Sequence, residues 1–565
     1  MYKIKKKQLI RISDELIVNK NFSVIRGVDS LTSDTSIIIT FNNLCNDETE
    51  IAMSVTDYEN PKFLLKTLKN KGFTFLGKNS EDENLANWLS AYNFDRTFVL
   101  TPQTGWYING DKYAYALPHK TYGKGTDVKF YNKASFAKKI KQQGEWDEYQ
   151  KLLQLAECSP VIIFAFGVGL AAFLIKPFDL EIFGVHIFDD STAGKTTATK
   201  FPTSFFSHPN DYNTWLSTLG GFEKSAMAHN GRPLILDELK MVSSDDKLLC
   251  KTVTQLSYAL CTGKTKERSD AYIESSGAFE GKSHFTFISN GEFGIINKAQ
   301  ECGYIKDSGE KLRLIDVPAR ISDEYGIFSY IPKPFKSAEE LVLHMEEILN
   351  NNYGFVGAKY AKKLVKELNS DDGEGFIVNC KKDILEKTQK LTISQATGYT
   401  KRYTRRFAIT HIALNLAQKW GIVPWSKETI RKAIELMYSK SVECIETDEQ
   451  LLNRGIAVLK KKIDIQARDC IDLTEYELSK IKVKEYIKGG YYFFDKINGK
   501  GKWIIPSATF KNWFLSEKVY KLVLNYLADL LPTKTNEGYP LTWIGAHRAR
   551  AIVLNKKQLK ELLSK

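Results

Sequence analysis

The sequence predicts an α/β fold built around one phosphate-binding loop, and three observations carry this prediction. The apolar run at residues 182–188 is followed by Gly-Lys-Thr-Thr at 194–197 and then by a segment of helical composition. A second apolar run ends in Asp237 and Glu238, and a third, at residues 284–288, ends in Ser-Asn-Gly-Glu. Apolar strands that alternate with helices are typical of α/β proteins.

The loop after the first strand has the composition of a nucleotide-binding turn. In such a loop, backbone N–H groups and the positive end of the next helix surround the phosphates, and a lysine reaches the outer phosphates. Lys195 is the predicted lysine, and the Thr196 hydroxyl is predicted to bind Mg²⁺. Asp189 stands where the pattern G-x-x-x-x-G-K-[ST] has glycine. Aspartate tolerates positive φ better than most residues, but its charge beside phosphates is unexplained. The residues predicted to contact ATP are Asp190, Ser191, Thr192, Ala193, Gly194, Lys195, Thr196 and Thr197.

The end of the second strand supplies the predicted metal ligand and the predicted catalytic base. Asp237 follows Leu-Ile-Leu at 234–236 and is expected to hold the magnesium shell, while Glu238 is expected to polarise the attacking water. The alternative is an ordinary strand end with two solvated acids. The upstream Gly-Lys-Thr favours the functional interpretation.

Two further residues complete the predicted site. Asn290, at the end of the third strand, would donate to the γ-phosphate and orient the water, although asparagine before glycine is also a common turn former. Arg313 lies at the start of a predicted last core strand, Leu312 to Val317, which Pro318 closes, and is the candidate arginine finger. Arg406, on an amphipathic helix at 402–420, is a candidate to contact bound nucleotide. A salt bridge between helices is the alternative for Arg406.

A basic loop is predicted between the second and third strands. The helix at 247–262 ends at Gly263, and a cluster of three cations follows, formed by Lys264, Lys266 and Arg268. We expect these side chains to neutralise DNA phosphates, with a solvated charge cluster as the alternative. The net charge of +13 and the pI near 9.0 favour a polyanionic partner, but a merely basic surface explains them as well.

The cysteines and apolar segments indicate a cytoplasmic protein without a membrane partner. The eight cysteines form no C-x-x-C pair and are expected to be reduced, structural thiols. The N-terminus has no signal-peptide apolar region. The uncharged run at 161–175 has 15 residues, short of the roughly 20 that a bilayer requires, and predicts a buried helix.

The remaining segments flank this core. We expect an α+β N-terminal domain at 1–93, a connecting β/α platform at 94–157, the ATPase core at 158–335, a helical lid at 336–445 and a winged-helix-like DNA-binding domain at 446–565. In the last domain, Asn498-Gly499 predicts a β-hairpin. Its candidate phosphate contacts, for which plain solubility is the alternative, are Lys511, Arg548, Arg550, Lys556 and Lys557.

A series of motifs resembles one known family. In order, they are GKTT (194–197), Trp215, GFE (221–223), HN (229–230), LDEL (236–239), GKTKER (263–268), SNGE (289–292) and RLIDVP (313–318). They resemble a bacterial and phage domain family long described as of unknown function, with AAA+ cores, over roughly residues 95–440. Members of this family in which an N-terminal domain and a C-terminal domain flank the ATPase core resemble the MCM-like, self-loading replicative helicases of staphylococcal cassette and pathogenicity-island elements. The predicted layout of this chain is the same.

The resemblance implies a hexameric ring that uses ATP and Mg²⁺ to translocate on single-stranded DNA and unwind a duplex. By this resemblance, Lys195 binds phosphate and Thr196 binds magnesium. Asp237 is a metal ligand and Glu238 is the catalytic base. Asn290 is the residue that senses the γ-phosphate, and Arg313 is the arginine finger. Single-stranded and duplex DNA and the replication proteins of the same element are the implied partners. The alternatives are a ring ATPase acting on protein and a DNA-binding scaffold that binds nucleotide without turnover.

Overall fold

The structure is a computed structural model. It describes the chain from residue 2 to residue 555 apart from 6–7, 12–15, 19–21, 31–32, 74–78, 95, 102, 119, 124–126, 132–139, 191–193, 218, 244, 265–281, 297, 299–313, 393–397, 446–447, 464–468, 474–478, 498–499, 515–516, 531–540 and 545–546.

The N-terminal unit is an α+β unit with its own hydrophobic core. A small antiparallel sheet comes first, followed by three longer strands and three helices. The elements are β1 (Tyr2–Lys5), β2 (Gln8–Arg11), β3 (Leu16–Val18), β4 (Ser23–Asp29), β5 (Thr35–Asn42), β6 (Glu48–Ser54), α1 (Val55–Tyr58), α2 (Pro61–Asn70) and α3 (Asn79–Ser90).

The next strands divide between two sheets. They are β7 (Thr97–Thr101), β8 (Gly105–Asn109), β9 (Lys112–Leu117), β10 (Lys120–Tyr122) and β11 (Val128–Phe130). Strands β8 to β10 form an antiparallel sheet, whereas β7 and β11 extend the N-terminal sheet in the order β11-β7-β4-β5-β6. That sheet therefore crosses residue 94, where the sequence predicts a division between domains. Strand pairing decides sheet membership, and β4 pairs in parallel with β7 across a long connection.

The core is a five-stranded parallel sheet with helices around it, as expected for an α/β fold. Its elements are α4 (Trp146–Leu155), α5 (Pro160–Ile175), β12 (Phe183–Phe188), α6 (Lys195–Thr203), β13 (Asn213–Thr214), α7 (Leu219–Ala228), β14 (Pro233–Asp237), α8 (Asp246–Thr262), β15 (Thr286–Gly291) and β16 (Leu314–Pro318). The strand order is β13-β14-β15-β12-β16, and every pairing is parallel. The strand of the phosphate loop, β12, therefore lies between β15 and β16.

The apolar run at 161–175 forms the buried helix that the sequence predicts. Within α5, every residue from Val161 to Ile175 is buried. Ser159 begins the helix by accepting a hydrogen bond from the Ile162 N–H at 3.3 Å, and the α5 carbonyl of Val168 accepts one from Thr286 on β15. A helix that is apolar on all sides must be enclosed by other elements. Among the described residues, no helix has the length and apolarity needed to cross a bilayer.

The helices that follow the core share its hydrophobic cluster rather than forming a separate one. They are α9 (Ala338–Asn351), α10 (Val356–Leu368), α11 (Gly373–Leu391), α12 (Gly398–Lys419) and α13 (Lys427–Val442). Ser441 on α13 donates a hydrogen bond to the carbonyl of Asp316 on β16 at 2.5 Å. Because α5 packs against both the sheet and these helices, and α13 contacts β16 directly, one continuous core joins the predicted ATPase core and helical lid.

The C-terminal unit is a second mixed sheet with its own core clusters. Its elements are α14 (Asp448–Lys462), β17 (Cys470–Asp472), α15 (Lys480–Lys488), β18 (Tyr492–Ile497), β19 (Lys500–Pro506), α16 (Ser507–Asn512), α17 (Glu517–Leu530), β20 (Leu541–Ile544) and β21 (His547–Asn555). Strands β18 and β19 pair antiparallel with Ile497 opposite Lys500, which confirms the predicted hairpin. The sheet order is β17-β18-β19-β21-β20.

Candidate functional site

The predicted phosphate loop joins the carboxyl end of β12 to the amino end of α6. Gly194 is the residue before the helix and has a φ of 90°, a left-handed conformation that glycine adopts without strain. Lys195 is the first residue of α6. The structure thus confirms the strand, loop and helix order that the sequence predicts. Ser191, Thr192 and Ala193 lie outside the described residues.

The Lys195 ammonium lies over its own loop. Its Nζ donates to the carbonyl oxygen of Asp189 at 2.7 Å and to that of Asp190 at 2.6 Å. Partial burial lowers the pKa of Lys195, while the charges of Asp189, Glu292 and Asp190 oppose that change. The lysine is therefore held at the mouth of the loop by groups that a phosphate can replace.

The two threonines after Lys195 differ in their surroundings. Thr196 is half-buried at the start of the helix, where a hydroxyl can reach a metal ion at the loop. Thr197 is buried, and its Oγ1 donates to Glu346 on α9 at 2.9 Å. The Thr197 side chain is thus bound to the helical region. Its backbone N–H remains at the amino end of α6, so any contact with ATP would come from the backbone.

Asp237 and Glu238 stand at the carboxyl end of β14. Asp237 is buried, and its Oδ1 accepts a hydrogen bond from the Glu238 N–H at 3.0 Å. Glu238 has a φ of 58°, an uncommon conformation for a residue with a side chain, and it is exposed. Such conformations are concentrated at functional sites. The turn separates the two carboxylates, so that one is enclosed and the other open to solvent.

Asn290 lies in β15 rather than in a turn after it. The structure places this strand at Thr286–Gly291, whereas the sequence predicts its end at residue 288. The buried Asn290 side chain accepts a hydrogen bond from the Glu238 N–H through Oδ1 at 3.3 Å. Its Nδ2 has no hydrogen-bond partner among the described residues. A buried amide donor without a partner is costly unless a ligand or water completes it.

Tyr212 is a site residue that the sequence interpretation missed. Its hydroxyl forms a hydrogen bond with the Asp237 side chain, and burial together with the charges of Asp237 and Glu238 raises the Tyr212 pKa. The residue lies just before β13, which pairs in parallel with β14. An isolated tyrosine in a polar segment carries no signal of this kind in the sequence.

Arg320 explains the aspartate that replaces the first glycine of the loop. Its Nε and Nη2 both donate to Asp189 Oδ1, at 3.2 and 3.0 Å, and Asp190 Oδ2 lies 3.7 Å from Nη2. Arg320 follows β16, the neighbour of β12, and the Ala319 N–H donates to the Phe188 carbonyl at 2.9 Å. The negative charge beside the loop is therefore offset by a cation from the adjacent strand.

A buried network supports the loop from behind. His186 Nε2 lies 3.0 Å from the Phe293 carbonyl, and Nδ1 lies 3.0 Å from Ser289 Oγ, which accepts a hydrogen bond from Trp215 Nε1 at 2.8 Å. A carbonyl can only accept, so Nε2 carries the proton and Nδ1 accepts from the serine. Burial lowers the pKa of His186 to about 4. The neutral ring thus joins β12 to β15 and to Trp215.

Several predicted residues are not brought to this site. Arg406 is buried on α12, where its Nη2 lies 3.7 Å from Glu181 and its guanidinium faces the Phe183 ring. Both partners lie at the amino end of β12, a strand length from the loop, roughly 20 Å. Within one chain, Arg406 is therefore not positioned to contact nucleotide, because the salt bridge holds it at the opposite edge of the sheet.

The predicted basic loop is described only at its base. Lys264 is exposed and forms an antiparallel bridge with Lys282, and the Ser283 N–H donates to the Gly263 carbonyl at 2.8 Å. The chain therefore leaves and returns at one point between α8 and β15. Lys266, Arg268 and Arg313 lie outside the described residues.

The donor set suits magnesium bound together with phosphate. Among the described residues, no group of three or more His, Cys, Asp or Glu side chains could hold a metal ion by itself. Mg²⁺ is usually bound through one or two protein oxygens plus substrate phosphates and water. Thr196 and Asp237 supply oxygens of that kind, so they fit a metal that arrives with ATP.

Comparisons with known proteins agree with this fold. A family model described as a domain of unknown function (DUF927) matches residues 3–272. No similar curated protein is found. Among solved structures, a chain described as "SCCmec type IV Cch - active helicase" has a TM-score of 0.54 and 15% identity, covering 100% of this chain and 99% of that one. The chain is therefore similar in fold, over its whole length, to that helicase.

Proposed function

We propose that this protein is an ATP-driven DNA helicase that translocates on single-stranded DNA and unwinds duplex for the replication of a mobile element. The observation that carries the proposal is the meeting of Lys195, the Asp237–Glu238 pair and the unpartnered Asn290 amide at the carboxyl edge of one parallel sheet. Ligands of open α/β sheets bind at this edge.

Each of these residues has a role in hydrolysis that its position supports. Lys195 exchanges its two carbonyl partners for the outer phosphates of ATP, and the N–H groups at the start of α6 bind the inner ones. Magnesium, held by Thr196 and Asp237, would neutralise charge on the β- and γ-phosphates. Glu238, exposed beside Asp237, accepts the proton of the attacking water. Asn290 Nδ2 donates to the γ-phosphate.

Coupling to DNA requires parts beyond this site. Lys264, Lys266 and Arg268 are proposed to contact the backbone of a strand that passes through a hexameric ring, because a chain excursion that leaves the core at one point can project from it. Arg313 is proposed to act as a finger on the nucleotide of the next subunit. The C-terminal unit is proposed as a winged-helix-like DNA-binding domain, with Arg548 and Arg550 exposed on β21.

Phosphate release with and without single-stranded DNA tests the proposal. We expect hydrolysis that DNA stimulates and that Lys195→Ala abolishes, together with unwinding of a forked duplex. The exposed Lys251→Ala on α8 is the matched control and should behave like the wild-type protein. A rate of hydrolysis that is the same with and without single-stranded DNA would favour a ring ATPase acting on protein. Binding of DNA and ATP without phosphate release would favour a replication scaffold.

A further inference from the structure

A large basic cleft lies away from the nucleotide site. Its walls are the β8–β10 sheet, one face of α10, the start of α11 and the segment after α12. The cleft volume is about 1480 Å³, above the roughly 300–1,000 Å³ of sites that enclose a small molecule. No described residue of the phosphate loop and none of Asp237, Glu238 and Asn290 lines it. Its size and separate position indicate a binding surface for an extended partner.

The charge of the cleft is concentrated on one helix. Six lysines and three acidic residues line it, and four of the lysines lie on α10. These four are spaced at i, i+3, i+4 and i+7, which places them on one exposed face, and they are Lys359, Lys362, Lys363 and Lys366. Like charges at this spacing repel one another and destabilise a helix.

The row of lysines has no ion-pair partner in the described part of the chain, although three acidic residues line the same cleft. None of the six lysines forms an ion pair with a carboxylate among the described residues. Glu367, the acid next to the row, accepts a hydrogen bond from Trp420 Nε1 at 3.2 Å and lies 3.9 Å from the Lys419 ammonium. The acid next to the row therefore pairs with other groups, and the four α10 lysines stay exposed to the cleft.

The cleft also offers aromatic and apolar surface, and its walls are fixed. Tyr113, Tyr122, Trp146 and Trp420 line it, and the Lys359 ammonium lies 4.3 Å from the centre of the Trp146 ring. Asn369, just after α10, accepts from the Tyr113 N–H at 2.9 Å and donates to the Tyr113 carbonyl at 2.7 Å. These reciprocal bonds join the β8–β10 sheet to α10, so the cleft is formed before a partner binds.

We propose that this cleft binds a single strand of DNA, with its phosphates on the α10 lysines and its bases against the aromatic floor. A row of cations beside aromatic rings is the combination by which proteins hold single strands without sequence preference. A duplex keeps its bases stacked inside and would leave the aromatic floor unused. The choice of DNA over another polyanion rests on the proposed function, and the site is distinct from the basic loop that begins at Lys264.

The test is a matched pair of charge reversals in the full-length protein. Lys362→Glu with Lys366→Glu changes two exposed lysines at i, i+4 on α10, and Lys62→Glu with Lys66→Glu makes the same change at the same spacing on α2. Both pairs are made in a Lys264→Ala, Lys266→Ala background, so that the basic loop does not mask the cleft. Fluorescence anisotropy then follows a labelled oligothymidylate over a salt series, without nucleotide.

We expect the α10 reversal to weaken binding roughly tenfold at 0.15 M salt and to reduce the log–log salt slope by about 1.4, since each phosphate contact to a single strand contributes about 0.7. The α2 reversal should leave both quantities unchanged. Equal losses in the two variants, or no loss in either, would overturn the proposal. The proposal would also be overturned if the α10 reversal changed the sedimentation coefficient of the protein but not its DNA binding. That result would assign the cleft to contacts between copies of the chain.

One further measurement separates this site from the proposed function. DNA-free phosphate release should be the same in the α10 variant as in its background, because the changed lysines lie outside the nucleotide site. If the wild-type protein releases no phosphate, the proposed function fails, yet the anisotropy comparison still decides whether the cleft binds a strand.

Discussion

Arg320 donates two hydrogen bonds to Asp189 beside the phosphate loop, from Nε and from Nη2, and both end on the same carboxylate oxygen. The aspartate is largely enclosed, with 11% of its side chain exposed, while 38% of the arginine side chain is exposed. The pair lies 131 residues apart in sequence but at the ends of adjacent strands. It allows a loop without its first glycine to keep an acid beside the phosphates.

This pairing predicts a compensating pair of substitutions. Arg320→Ala should weaken ATP binding about tenfold, near 1.4 kcal/mol, because it leaves the Asp189 charge facing the phosphates. Asp189→Gly in the Arg320→Ala background should restore most of that affinity. Titration of a fluorescent ATP analogue into the wild-type protein, the Arg320→Ala and Asp189→Gly single variants and the double variant gives the coupling free energy. If the double variant binds as weakly as Arg320→Ala alone, the pair does not serve the nucleotide site.

Glu238→Gln should bind ATP and hydrolyse it roughly 10² to 10⁴ times more slowly, because the amide keeps the shape of the side chain but accepts no proton. Single-turnover phosphate release measures the rate, and analogue titration measures binding. Glu148→Gln is the control, since Glu148 is a partly exposed carboxylate on α4 that pairs with Lys151 and is not among the residues of the site. A Glu238→Gln protein with wild-type turnover would place the base elsewhere.

Asn290→Asp replaces the unpartnered donor with a charged oxygen, while the other carboxylate oxygen can still accept from the Glu238 N–H. Hydrolysis should fall by roughly 10²- to 10³-fold, comparable to the loss of one donor in other enzyme sites. Asn230→Asp is a useful contrast because the Asn230 amide is satisfied by the Thr104 carbonyl and the His284 N–H. Asn230→Asp should lower the thermal unfolding midpoint and leave the rate of hydrolysis largely unchanged. If Asn290→Asp instead lowered the midpoint without slowing hydrolysis, Asn290 would not belong to the site.

Arg313 is predicted to act on the neighbouring subunit. Arg313→Ala should then bind ATP but lose hydrolysis, by about 10³ to 10⁵ where arginine fingers have been measured. When the Arg313→Ala and Lys195→Ala proteins are mixed, some sites take Lys195 from an Arg313→Ala subunit and Arg313 from a neighbouring Lys195→Ala subunit. Such composite sites hold one intact lysine and one intact arginine. Some phosphate release should return as the two inactive proteins are titrated together.

Sizing must first show that the two proteins exchange into mixed assemblies. Mixed assemblies that stay as inactive as either parent would exclude a finger acting in trans at this position. Arg320 is then a poor replacement, since it already pairs with Asp189 of its own chain.

The buried His186 predicts a pH dependence of stability. Its folded pKa is about 4, below the ordinary value of 6.5, so the unfolded chain binds the extra proton first as the pH falls. Folding stability from this group is therefore full above pH 6.5 and falls toward pH 4, by of the order of 2–3 kcal/mol.

Replacing the ring isolates this effect. His186→Asn should lower the thermal midpoint at pH 7.5, and the difference from the wild-type protein should shrink as the pH falls to 4. His284 and His411 also have pKa values that burial lowers, but both proteins contain them, so they cancel in the difference. A constant difference across this range would mean that His186 titrates normally.

The sequence by itself determined the parts of the site that follow from local pattern. An apolar strand that ends in polar residues marks its own carboxyl end, so Asp237 and Asn290 could be predicted near strand ends and Lys195 at the start of the helix after β12. The buried helix α5 and the two-residue hairpin after Ile497 were predictable for the same reason. In each case the apolar or turn-forming residues are neighbours in the chain, and their spacing encodes the structure.

Only the tertiary structure decided which distant residues meet. It paired Arg320 with Asp189, bound Thr197 to Glu346 and placed Arg406 against Glu181 at the opposite edge of the sheet. It also brought strands from beyond residue 94 into the N-terminal sheet and set the α10 lysines opposite Tyr113. A charged side chain has the same local pattern whether it faces solvent, a salt-bridge partner or a ligand. Its partner depends on strand order and helix packing, which chain neighbours do not encode.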